Sequence, residues 1–120
     1  MSEDTERLTR GRDILRQLFV AEPKGGGAAQ EMLEISAAHL FGEIWARPGL
    51  SLRDRELITI TAIATLGRER QLRLHLKGAL NAGLSRDEII ESFIHLAYYA
   101  GYPACFTALA VAQEVFDELD

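Results

Sequence analysis

Apolar residues recur at three- and four-residue spacing through most of the chain, and no segment alternates with the period of two that a half-buried strand shows. The pattern predicts six helices and no sheet. The first runs from about Asp4 to Val20, with Leu8, Ile14, Leu15, Leu18 and Phe19 on its inner side, and ends in Pro23-Lys24-Gly25-Gly26-Gly27, a breaker by composition. The second covers about Ala28 to Ile44 and is stopped by Arg47-Pro48-Gly49, because proline disfavours helical geometry in the residue before it. Ser51 with Asp54 three residues later resembles a capping pair. It opens a third helix, strongly apolar through Leu57, Ile58, Ile60, Ile63 and Leu66, which places that helix at the centre of the fold.

Gly67 separates it from a fourth helix, about Glu69 to Ala82, closed by Asn81-Ala82-Gly83, where glycine supplies a left-handed cap. Ser85-Arg86-Asp87-Glu88 is a full capping-box pattern, and the fifth helix runs from it to about Ala100. Gly101-Tyr102-Pro103 breaks the chain again. Pro103 then suits the first position of a sixth helix that reaches about Leu119. Short connections imply antiparallel neighbours, so the expectation is an all-α six-helix bundle forming a single domain over residues 1–120.

Composition narrows what such a bundle does. A chain of 120 residues buries a modest share of its surface alone, so self-association into a homo-oligomer would help it. With 48% apolar and 26% charged residues it falls among globular rather than disordered chains. The net charge of −5, with acids at both ends, gives no basic stripe and argues against nucleic acid as a partner. The start lacks the basic and apolar regions of a signal peptide and no apolar run reaches spanning length, so the expectation is a cytoplasmic protein with no membrane partner. Cys105, the single cysteine, cannot pair internally and excludes a CxxC redox site. Neither it nor the histidines, scattered without short ligand spacing, point to a metal site.

His75 lies on the fourth helix between Leu74 and Leu76, with Leu72 and Ala79 nearby. By itself a histidine in apolar company is more often a hydrogen-bonded core residue than a catalyst. The segment from Phe41 to Leu50 gathers Glu43, Trp45 and Arg47 around a helix end. Singly these read as a surface acid, a core filler and a solvated cation; together they describe an anion-binding pocket with an acid in its wall. Arg53 and Arg55 read as a solvated face with Asp54 and Glu56, where Glu56 would favour the helix dipole. Tyr98 and Tyr99 cannot face the same way on a helix, so at least one packs or lies in an interface. His39 and His95 read as structural or exposed, and Cys105 as packing.

Three blocks in order, FGEIWARPGLSLRDRELITI, LRLHLKGALNAG and YYAGYPA, resemble the carboxymuconolactone decarboxylase family from about Glu31 to the end of the chain. The resemblance implies a helical fold of the alkylhydroperoxidase D-like type assembled into rings, as hexamers built from trimers of dimers, or as trimers. The peroxidase-like relatives place a glutamate, two cysteines and a histidine on the third and fourth helices. Glu56 and His75 fall on that glutamate and histidine, but Arg68 and Gln71 stand at the cysteine positions, so the thiol chemistry is absent.

The decarboxylase branch implies a carboxy-lyase that turns 4-carboxymuconolactone into the enol-lactone of 3-oxoadipate during protocatechuate breakdown, a step in aromatic compound catabolism. The departing carboxylate sits on a carbon conjugated to the lactone carbonyl, so the substrate is its own electron sink and no cofactor is expected. The protein must hold a small dianionic carboxylate, stabilise an oxyanion and deliver a proton. Arg47, with Trp45, suits the first task. Tyr98, Tyr99 or His75 suits the second. His75, or a carboxylic acid of raised pKa such as Glu43 or Glu56, suits the third. The alternatives are a peroxidase-like antioxidant relative and a non-catalytic metabolite-binding oligomer.

Overall fold

The computed structural model describes residues 2–20 and 26–120. Among them there are six helices and no strand. The chain divides into two compact units, Met1–Ser51 and Leu52–Asp120. Of the breaker after the first helix, Gly26 and Gly27 take positive φ, whereas Pro23, Lys24 and Gly25 lie outside the described residues.

In the first unit α1 covers Glu3–Phe19. Ser2 caps it by accepting from the Thr5 amide at 3.2 Å, and Glu3, Asp4 and Glu6 complement the positive end of the helix dipole. Its buried face is Gly11, Ile14, Leu15 and Leu18, spaced by three and four as the pattern requires. The second helix departs from expectation. It is α-helical only over Ala29–Ile35 (α2) and continues as a π-helix over Ser36–Ile44, with the Trp45 amide donating five residues back to the Leu40 carbonyl at 2.9 Å.

The two helices of this unit meet backbone to backbone. A Cβ on Gly11 would fall 1.6 Å from the Ala37 carbonyl oxygen, and one on Gly42 2.0 Å from that of Arg7. Arg10 Nε donates to the Gly42 carbonyl at 3.1 Å, supplying a partner in the wide-turned segment. Phe41 anchors the apolar side, edge-on to Phe19 at 6.4 Å and tilted on Trp45 at 5.3 Å between ring centroids.

The second unit holds α3 (Leu52–Leu66), α4 (Glu69–Asn81), α5 (Arg86–Ala100) and α6 (Tyr102–Leu119). Its core joins Ile60 and Ala64 of α3, Leu72, Leu76 and Ala79 of α4, Ile89 and Phe93 of α5, and Ala108, Val111 and Val115 of α6. Gly67 at φ +70° and Gly83 at φ +107° close α3 and α4 in conformations that L side chains rarely adopt. The capping box forms as predicted: the Glu88 amide donates to Ser85 Oγ and the Ser85 amide to Glu88 Oε1, each at 3.0 Å. The sixth helix starts at Tyr102, one residue before the predicted position, so Pro103 sits second in it and Cys105 is buried.

Within its unit α3 packs against α4, α5 and α6, with Ile58 and Leu66 exposed. One expectation about it needs correction: Glu56 does not join a solvated face but is 0% exposed, on the same stripe as Ile60 and Ala64 at four-residue spacing. Arg53 does stay outside, paired with Glu88 of α5. Among the described residues no helix is long and apolar enough to cross a membrane.

Candidate active site

The inner stripe of α4 runs Leu72, His75, Leu76, Ala79, so helical spacing alone turns the imidazole toward the buried side. There it meets Glu56. His75 Nδ1 lies 2.7 Å from Glu56 Oε1, with the histidine side chain 14% exposed and the glutamate fully buried. With Glu56 ionised, His75 donates its Nδ1–H to the carboxylate, which fixes the ring orientation and leaves Nε2 to face other partners. Glu56 Oε2 is buried and has no hydrogen-bond partner among the described residues.

Burial raises the Glu56 pKa above the ordinary value of 4.5, because the charged form loses its hydration; the hydrogen bond and charge of His75 oppose that shift without cancelling it. A carboxyl held toward neutrality beside an imidazole forms a pair that stores a proton between two sites.

The remaining candidates divide between the two units. In the first, Glu43 is half exposed and faces Arg7 Nε at 3.3 Å. Trp45 is buried against Phe41 as a core filler, and Arg47 is exposed in a turn where its amide donates to the Ile44 carbonyl at 3.2 Å. In the second, Tyr98 and Tyr99 are exposed and do face apart. Tyr98 meets Tyr102 edge-on at 6.0 Å, whereas Tyr99 stacks on His95 at 5.0 Å and 27°. Sequence reasoning set His95 aside, although Ser92, His95, Leu96 and Tyr99 share one face of α5 at three- and four-residue spacing. Among the described residues no group of three or more His, Cys, Asp and Glu side chains could hold a metal ion.

Residues 30–114 match the carboxymuconolactone decarboxylase family. This chain belongs to that family. It is 41% identical over 90 residues to the 4-carboxymuconolactone decarboxylase of Acinetobacter baylyi, covering 75% of this chain and 67% of the relative. It is 35% identical over 86 residues to nitrosuccinic acid decarboxylase npaB of Metarhizium robertsii, covering 72% and 60%. It is also 40% identical over 82 residues to an uncharacterized 15.0 kDa protein of Paracoccus denitrificans, covering 67% and 61%. The matched stretch therefore spans about three fifths to two thirds of these relatives' lengths. Within this carboxymuconolactone decarboxylase family member, the matched residues include Glu43, Trp45, Arg47, Glu56, His75, Tyr98 and Tyr99, while α1, whose Arg7 holds Glu43, falls outside.

Proposed function

We propose that the chain is a carboxy-lyase that uses no metal or organic cofactor and acts on a small cyclic carboxylate, first of all 4-carboxymuconolactone. The observation that carries this reading is the Glu56–His75 pair, a buried carboxyl and an imidazole 2.7 Å apart in a chain of this family. Two relatives bear the names of decarboxylases, which supports the reaction class.

In the lactone, the bond to the carboxylate breaks and its electrons pass through the ring double bond onto the lactone carbonyl oxygen. Carbon dioxide leaves, and the resulting dienolate takes a proton at carbon. His75 supplies that proton from Nε2 while Glu56 holds Nδ1–H and stabilises the imidazolium before transfer. Arg47 has the planar fork suited to a substrate carboxylate, and Tyr98 or Tyr99 a hydroxyl suited to the oxyanion. The substrate of the nitrosuccinate relative imposes a similar demand, since a nitro group also accepts the electrons left by carbon dioxide. We further propose a cytoplasmic role in aromatic compound catabolism, carried out by a ring-shaped homo-oligomer, a trimer or a hexamer built as a trimer of dimers.

The deciding experiment follows carbon dioxide release from 4-carboxymuconolactone and from nitrosuccinate, each with and without prolonged chelation. Turnover of the lactone that survives chelator is expected. Release from nitrosuccinate alone would overturn the cyclic substrate, and activity lost to chelator but restored by a divalent metal would overturn the cofactor-free mechanism. Peroxide consumption without carbon dioxide release from either compound would return the chain to the peroxidase-like class.

A further inference from the structure

A second face of α3 borders a different hollow. It is an open groove of about 360 Å³ between α3 and α5, lined by Leu57, Thr61, Ser92, His95, Leu96 and Tyr99. That volume lies within the roughly 300–1,000 Å³ of small-molecule sites. Leu57 and Leu96 make apolar wall, and the stacked rings of His95 and Tyr99 offer flat aromatic surface. The two hydroxyls have already committed their protons: Thr61 donates to the Ile58 carbonyl at 2.8 Å and Ser92 to the Ile89 carbonyl at 2.7 Å. Each Oγ therefore meets a ligand as an acceptor.

Charge limits the occupant further. No lysine or arginine lines this hollow, and an adjoining one of about 340 Å³, which shares Leu57, Ser92 and His95, carries the carboxylates of Glu88 and Glu91. Glu88 is engaged by Arg53, but an anion entering here would still meet the carboxylate of Glu91 and find no guanidinium or ammonium in the lining. A purely apolar ring would leave the two acceptor oxygens without a donor.

We propose that this hollow binds a small, uncharged, planar molecule bearing a hydroxyl group, the chemistry of a phenol. Its ring lies against Leu57, Leu96 and the His95–Tyr99 stack, and its O–H is donated to Thr61 or Ser92. Neither Glu56 nor His75 lines this hollow, and the proposal does not rest on the decarboxylase reading; with Tyr99 in this wall, the oxyanion of the proposed reaction falls to Tyr98.

The test uses the full chain with ¹³C-labelled histidine. Its three histidines give few ring signals, and His95 is assigned through the His95→Gln variant. Phenol should shift the His95 signals saturably and leave those of His39 in place. Benzoate, which is anionic, and toluene, which lacks the donor, should bind at least about tenfold more weakly. Thr61→Val combined with Ser92→Ala removes both acceptors and should weaken phenol binding about fivefold, the equivalent of one ordinary hydrogen bond. Leu96→Trp, checked for folding by circular dichroism, should abolish it. Unmoved His95 signals at saturating phenol, benzoate binding equal to phenol, or parent-like affinity when Thr61→Val and Ser92→Ala are combined would each overturn the proposal.

Discussion

The burial of Glu56 beside His75 bears on stability at this position as well as on the proposed chemistry. Burial lifts the Glu56 pKa above 4.5, so the folded chain holds the carboxyl proton more tightly than the unfolded chain does. The stabilisation this provides is complete below the unfolded value and is lost as pH rises through the folded one. Glu56→Gln, which cannot ionise, should therefore gain stability relative to the parent as pH rises from about 4 to 8. Urea midpoints measured across that range would reveal it, and parallel curves would mean that Glu56 ionises as freely in the fold as outside it. For His75→Gln the expectation concerns turnover, which should fall by roughly two to four orders of magnitude in a folded protein if the imidazole transfers the proton. Near-parental turnover would move that role to Glu43 or Glu56. Arg47→Lys keeps charge but loses the bidentate fork, so KM should rise with kcat little changed.

Helices form in this chain where local signals agree, and their interiors follow packing instead. The Ser85–Glu88 box and the positive-φ glycines at 67 and 83 were legible because each is a local backbone requirement met by a particular residue type. Apolar spacing also located the inner faces of α1 and α4. It did not reveal the π-helix over Ser36–Ile44, because spacing reports which face is buried and not which carbonyl each amide reaches. The contact of α1 with that segment depends on two glycines. Gly42→Ala would drive a methyl into the Arg7 carbonyl, and Gly11→Ala into that of Ala37. Each should cost about 1–3 kcal/mol or more, as overpacking does, against the few tenths usual for a surface change. Chemical denaturation of both variants measures it, and unchanged midpoints would mean that the two helices can part without loss.

At the scale of the molecule, apolar surface remains uncovered. Tyr98 is 77% and Phe106 70% exposed, with Tyr102 beside them around a hollow of about 280 Å³. A patch of this kind on a small chain favours association with another copy. Light scattering should give a mass several times that of one chain, and Phe106→Lys should lower it; a monomeric parent would remove the oligomer from the proposal. The sequence by itself determined the helix number, most helix ends, the lack of a CxxC pair in these residues and the buried direction of His75, because these follow from periodicity, caps and residue inventory. Only the tertiary structure decided that Glu56 is the partner of that histidine. The two lie nineteen positions apart on different helices, and a charged residue in a run of arginines and acids reads as solvated until packing places it on the stripe of Ile60 and Ala64. Its raised pKa comes from that burial, which is a property of the neighbours a fold assembles and is written in no single segment of the chain.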